Sequence, residues 1–306
     1  MTRAVRTAVI AAVASCAVPS LVGLASAQAF AVARAAVKIG GYKVVEKKVS
    51  LPAGGFVRQT AQCPAGKVVL GGGAAVVGAG SANFGTEIQE SAPGTIGGGA
   101  TSLWLAAVSN HSATNRTLGI FAVCANRPKG YKVVEKTFSL HAGGFVRQTA
   151  SCPAGKGVLG GGTAVVGAGS ANFATEVQES DPGTIGGGAT SLWLASVSNH
   201  SASNRTLGIF AVCANKPKGY KVVGKTFGLP AGGFVRQTAS CPAGKVVLGG
   251  GAAVVGAGSA NFGTEVQESA PGTIGGGATS LWLASVSNHT RSNRTLGISA
   301  VCAVKK

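Results

Sequence analysis

Residues 63–77 read Cys63-Pro64-Ala65-Gly66-Lys67-Val68-Val69-Leu70-Gly71-Gly72-Gly73-Ala74-Ala75-Val76-Val77. The Cys-Pro-Ala-Gly head predicts a type I turn, with Pro in its second place and Gly in its fourth. The Val- and Ala-rich run behind it predicts a strand. Three glycines inside that strand predict a bulge or the close approach of another backbone. The same run returns at 152–166, with Gly157 and Thr163 as its two replacements, and unchanged at 241–255. Moving outward, Tyr42, Tyr131 and Tyr220 open segments of 89 residues, and Trp104, Trp193 and Trp282 keep the same period. A unit of that length exceeds the roughly 20–45 residues of a solenoid repeat and can hold a small core of its own. The junctions around Pro128 and Pro217 are short. Three beads on Pro-stiffened joints are therefore expected, with boundaries at 42–130, 131–219 and 220–306.

Each unit reads as all-β. Strand-like runs fall at 42–51, 56–63, 67–77, 83–90, 102–110 and 117–125, separated by Pro- and Gly-rich turns. No window shows a helical stripe. Six short strands predict three tandem compact antiparallel β-sandwich domains. In the last strand Leu118, Ile120, Ala122 and Cys124 share one face, which is the expected core face. Phe121 points the other way; its equivalents are Phe210 and, in the third copy, Ser299. That pattern suggests that the Phe packs against the following repeat, which the third copy lacks; drift at an exposed site is the alternative. Apart from Cys16 there are six cysteines, two per copy and always 61 residues apart: Cys63/Cys124, Cys152/Cys213 and Cys241/Cys302. An even pair in each unit of an exported chain predicts one intra-repeat disulfide.

Export is read from the N-terminus. Arg3 and Arg6 precede an apolar stretch from Ala8 to Leu24, and Ala25-Ser26-Ala27 is a small-x-small cleavage pattern. A signal peptide over 1–27 and a linker over 28–41 are expected, and the sequence around Cys16 only loosely resembles a lipobox. No later segment is long and apolar enough to span a membrane. Of the 306 residues 12% are charged, 45% are hydrophobic and 49 are Gly, without a collagen period. Few charges with ample apolar content argue against disorder.

The string Cys63-Pro64-Ala65-Gly66-Lys67, then Gly71-Gly72-Gly73, a lone Trp104, Asn110, and Phe121-Ala122-Val123-Cys124 resembles a recurring secreted β-domain of actinobacteria and related soil bacteria. The resemblance spans all three copies, about residues 42–304. It implies a bacterial extracellular location and supplies no substrate.

Signs of chemistry are sparse. Gly66-Lys67 lacks the upstream Gly of a phosphate-binding loop, and Val68 stands where its Ser/Thr would be. Asp181 is the only Asp, so a Ser-His-Asp triad is impossible in copies one and three. No metal site and no cofactor are expected, because the chain has one Asp, four His and one Met and no further ligands are spaced near a cysteine pair. Glu87 and Glu90 recur as Glu176/Glu179 and Glu265/Glu268; three apart on a strand they point to opposite faces, which suits solvated or salt-bridged residues better than a glycosidase pair. Three groups of residues are retained for ligand contact. Glu87 shares a face with Gln89 and could hydrogen-bond a sugar or peptide. His111, His200 and His289 sit in Asn-His-Ser/Thr turns. Trp104, Trp193 and Trp282 are either core residues or stacking platforms. Asn110 and Asn115, with their equivalents, match the N-glycosylation pattern and read as turn residues in a bacterium.

The chain carries 27 Lys+Arg against 9 Asp+Glu, a net +18, and without Arg3 and Arg6 it keeps 25 against 9, or +16. The basic residues gather near the junctions, at Arg127, Lys129, Lys132 and Lys136 and again at Lys216, Lys218, Lys221 and Lys225. They predict attraction to anionic polymers. Specific nucleic-acid recognition is not expected, because interleaved aromatics are missing. The expectation is a secreted, non-enzymatic repeat protein binding a cell-surface or matrix polysaccharide or anionic wall polymer multivalently. A structural envelope, spore or matrix protein comes second, and a hydrolase of extracellular polymer third.

Overall fold

A computed structural model describes residues 36–77, 85–99, 101–166, 174–184, 187–188, 191–255, 263–273, 275 and 279–306. The expected signal peptide and cleavage site, and Cys16, lie outside the described residues. Every regular element among them is a β-strand. In repeat one the strands are β1 (Lys43–Leu51), β2 (Phe56–Gln62), β3 (Lys67–Val77), β4 (Thr86–Ala92), the ribbon β5 (Gly94–Thr95) and β6 (Gly98–Gly99), β7 (Leu103–Asn110) and β8 (Arg116–Asn126). Repeat two follows with β9 (Lys132–Leu140), β10 (Phe145–Ser151), β11 (Lys156–Val166), β12 (Thr175–Asp181), β13 (Gly183–Thr184), β14 (Gly187–Gly188), β15 (Leu192–Asn199) and β16 (Arg205–Asn215). Repeat three has β17 (Lys221–Leu229), β18 (Phe234–Ser240), β19 (Lys245–Val255), β20 (Thr264–Ala270), β21 (Leu281–Asn288) and β22 (Arg294–Val304). The six long strands of each unit lie close to the expected runs.

The turn after Cys63 departs from the expected register by one residue. Lys67 N donates to Pro64 O at 3.0 Å, so the turn begins at Pro64 and Gly66 is its third residue, at φ 76°. That left-handed conformation strains any residue with a Cβ, which is why Gly is placed there.

Each repeat folds as two three-stranded halves. One half is ordered β1-β8-β3 and the other β2-β7-β4, and the two pack face to face. Between them lie Leu51, Val69, Val76, Ile88, Trp104, Val108, Leu118, Ile120, Ala122 and Cys124, all at most 2% exposed. Leu118 through Cys124 thus face the core, as the alternation predicts. The disulfides Cys63–Cys124, Cys152–Cys213 and Cys241–Cys302 tie one half to the other, with Cα–Cα distances of 5.6–5.7 Å. Closing a loop of this length stabilises a domain by about 4 kcal/mol in the chain-entropy model. Structural disulfides of this kind persist in an oxidising, extracytoplasmic setting.

The repeats are not separate beads. Each sheet has six antiparallel strands and draws three from each of two repeats: β1-β8-β3-β20-β21-β18, β2-β7-β4-β11-β16-β9 and β10-β15-β12-β19-β22-β17. Repeat one thus shares a sheet with repeat two, repeat two with repeat three, and repeat three with repeat one, closing a ring with pseudo-threefold symmetry. Each seam rests on one paired position, Thr163↔Ser91, Ser180↔Ala252 or Ser269↔Ala74. Away from the seams, β3, β11 and β19, which belong to three different sheets, also approach one another closely. A Cβ on Gly71 would meet Leu248 O at 2.5 Å, and Gly160 and Gly249 meet their neighbours at the same distance. The ladder slips beside these glycines, between Val69 and Gly71, and the Val69 carbonyl is taken by Tyr131 Oη of the next repeat at 2.8 Å. Tyr220 donates likewise to Val158 O, and Tyr42 closes the ring on Val247 O. A bulge leaves a backbone group without its ladder partner, and the tyrosines supply one. The glycine triplet therefore marks both features expected of it, a bulge and a close backbone approach.

Phe121 and Phe210 are fully buried, so drift at an exposed site is excluded. They pack on the preceding repeat around the ring rather than the following one: Phe121 against Ala270, and Phe210 against Ala92 and Ile96. The third copy has the same neighbour but a different pair. Ser299 Oγ donates to Asp181 Oδ2 at 2.8 Å, with Asp181 standing where the other copies have Ala92 and Ala270.

Candidate functional site

The retained residues separate sharply by position. Trp104, Trp193 and Trp282 are each 1% exposed, and each indole Nε1 donates at 2.9 Å to a serine of its own repeat, Ser91, Ser180 or Ser269. They are core residues with a satisfied polar edge, and no stacking face is open to a ligand. Glu90, Glu179 and Glu268 are buried too. Each meets an arginine, Arg58, Arg147 or Arg236, at 2.5–2.6 Å. Glu90 Oε1 also accepts from Val165 N of repeat two, and Glu268 Oε1 from Val76 N of repeat one. These ion pairs therefore clamp the seams. Arg58, Arg147 and Arg236 recur at the 89-residue period, so the sequence held the signal, but only the shared sheet shows its use.

Asn110, Asn199 and Asn288 are buried braces. Asn110 Nδ2 donates to Pro52 O and Thr114 O at 2.9 Å, while its Oδ1 accepts from Ser112 N and Oγ. An amide so engaged is inaccessible to glycosylation in the folded protein.

Glu87, Glu176 and Glu265 belong to β4, β12 and β20, and these three strands pack on one another at the ring centre. One carboxylate oxygen from each glutamate lies within 4.8 Å of the other two. A histidine from the same repeat stands over each: His111 Nε2 is 3.1 Å from Glu87, His200 3.0 Å from Glu176, and His289 3.2 Å from Glu265. The local chain explains this pairing. Glu87 lies opposite Ser109 in the β4–β7 ladder, Asn110 ends β7 in its braced turn, and His111 follows, with its N–H on Gly85 O. The imidazoles are 36–40% exposed and the glutamates 12–15%, so the cluster opens to solvent on its histidine side.

Gln89 is fully buried, and its Nε2 donates to Ser109 Oγ at 2.6 Å. Gln178 repeats the contact with Ser198 at 2.8 Å. The ladders slip at Gln89 and Gln178, and each bulged amide reaches back to the serine that lies opposite the glutamate, Ser109 opposite Glu87 and Ser198 opposite Glu176.

The electrostatics follow from this crowding. Burial and the carboxylates of Glu265 and Glu87 push Glu176 up to about 7, against the pull of His200. His111 and His289 are raised, first by the hydrogen bond to their own glutamate and further by the field of all three carboxylates. Chemically, the centre holds negative charge in a confined space and shares protons. Sequence analysis had Glu87 and each histidine but sought their partners within one copy, whereas the partners are the same residues of the other two.

The outer rim is basic. β1 with β2, β9 with β10, and β17 with β18 are all sheet edges, and on them Lys43, Lys47, Lys48, Lys132, Lys136, Lys221 and Lys225 are exposed. Arg127 lies over the Tyr131 ring at 4.9 Å at a junction. Among the described residues no helix is long and apolar enough to cross a membrane. Compared with known protein families and with characterised proteins, the chain matches none.

Proposed function

We propose that this is an exported, non-enzymatic binding protein that adheres to an anionic cell-surface or matrix polymer, such as teichoic acid or acidic polysaccharide, through three equivalent basic rims. One observation carries the reading: each repeat places one lysine-bearing strand, β1, β9 or β17, at a sheet edge, and the shared sheets hold the three rims in one body. Weak charge contacts held at fixed spacing on one body gain about 10²–10⁴ in avidity when a polymer can engage them together. The disulfides, the export pattern and the resemblance to a secreted bacterial domain support the location. The same lysines argue against a purely structural assembly, because charged edge strands resist strand-on-strand association.

The test is retention of the oxidised protein on teichoic-acid-containing cell walls across a sodium chloride series. Lys47→Gln/Lys48→Gln disables one rim, Lys132→Gln/Lys136→Gln a second and Lys221→Gln/Lys225→Gln the third. Retention and the salt midpoint for release fall stepwise with each rim removed. Unchanged retention with all three rims neutralised, or none for the parent protein, overturns the reading.

A further inference from the structure

The centre of the ring differs in chemistry from its rim. Three carboxylates converge there, and no lysine or arginine forms an ion pair with them among the described residues. The three glutamines behind them are an independent sign of a ligand. Gln89 Oε1 and Gln178 Oε1 are buried without a hydrogen-bond partner, and in Gln267, which is 0% exposed, both amide atoms lack one. Buried amide oxygens are normally satisfied, and a group of unsatisfied ones next to an acidic cluster calls for an explanation. Two of these amides bond to the serines directly opposite Glu87 and Glu176, beside the carboxylates that an ion or its bound water would join.

We propose that Glu87, Glu176 and Glu265 form a single binding site for an oxygen-ligated divalent cation of the calcium or manganese type. The glutamines would receive the ion's inner water, and the histidines would act as outer supports. Three oxygens no more than 4.8 Å apart can be met by one ion at no more than about 2.8 Å from each, and a shift of a few tenths of an ångström reaches the roughly 2.3–2.6 Å of calcium–oxygen bonds. Carboxylates and amide or water oxygens are the ligands that hard cations select. Histidines that hydrogen-bond the liganding carboxylates hold them in orientation from outside the coordination sphere. The open histidine side gives the ion its entry path. The site uses one residue per repeat, so the stoichiometry is one ion per chain and not three.

The experiment is isothermal titration of the full, EDTA-treated chain with calcium chloride and with manganese chloride at pH 7.5, with manganese binding read independently by electron paramagnetic resonance. One saturable ion per chain is expected, with a dissociation constant of about 10⁻⁴–10⁻³ M or tighter, the range of extracellular calcium modules. Glu176→Gln weakens binding at least tenfold, while Glu46→Gln, a half-buried acid outside the cluster, leaves it unchanged. A thermal melt of each variant shows that it is folded, and Glu176→Gln melts no lower than the parent without metal because it relieves repulsion. Absence of saturable binding by either ion, three ions per chain, or binding retained in Glu87→Gln/Glu176→Gln/Glu265→Gln overturns the proposal. Binding of zinc alone, abolished by His111→Ala, also overturns it, because the imidazoles would then be the ligands. Loss of polymer retention leaves this result untouched, since rim and centre share no residue.

Discussion

Asp181 is the only aspartate in the chain and one of its most deeply buried charged residues. Its Oδ2 takes the Ser299 hydroxyl, while Oδ1 has no partner. Burial pushes its carboxyl well above the usual range; the Ser299 hydrogen bond opposes the shift, and nearby Glu179 adds to it. A carboxyl whose folded value is raised stabilises the fold fully only below its unfolded value near 4, and that contribution is lost as pH rises through the folded value. Asp181→Asn is therefore expected to match the parent near pH 4 and to melt higher at pH 7, with the gap widening as pH rises. Asp181→Ala/Ser299→Phe restores the pair that Ala270/Phe121 and Ala92/Phe210 form. It should gain about 1–3 kcal/mol at pH 7 by trading an unsatisfied polar group for apolar contact. Calorimetry at both pH values checks the series, and a constant or narrowing gap contradicts it. The Phe121/Phe210/Ser299 difference was visible in the sequence as a sign of inter-repeat packing. Its direction was not, because the partner, Asp181 against Ala92 and Ala270, lies 118 residues away from Ser299.

At the scale of the element, β3 and its equivalents do most to close the ring. The strand begins in a turn fixed by Gly66, slips register at the glycines, and leaves a carbonyl that the next repeat's tyrosine fills. Tyr131→Phe removes that donor and strands Val69 O between repeats one and two, at a cost of about 1–2 kcal/mol. Thermal melting should show a drop of a few degrees, with an unchanged circular dichroism spectrum at 20 °C; an unchanged melting temperature contradicts the role. Strand positions were legible because alternation and turn residues are local signals. The glycine triplet announced a bulge and a close approach but could not say whose backbone came near. Near-identical repeats make every copy an equally good partner in sequence, and only the geometry of the sheet edge chooses between them.

For the whole molecule, the short junctions were read as joints between beads, yet they deliver each repeat into a sheet begun by its neighbour. Two three-stranded halves per repeat would each leave an inner edge unpaired, at β3 and β4, and pairing those edges across repeats removes the exposure. Closure also explains why the candidate residues changed character. Trp104 read in the sequence as a core residue first and a stacking platform second, and the sandwich put it inside. Glu87 and His111 looked isolated in one copy, and threefold closure made them one centre. The central claim is therefore the closed ring, and small-angle X-ray scattering of residues 35–306 in dilute, oxidised solution tests it most directly. A closed ring of this length has a radius of gyration of about 18 Å, which stays constant with ionic strength. Independent beads would give about 25 Å or more, with a scattering profile typical of flexibly linked domains, and that result would contradict the account.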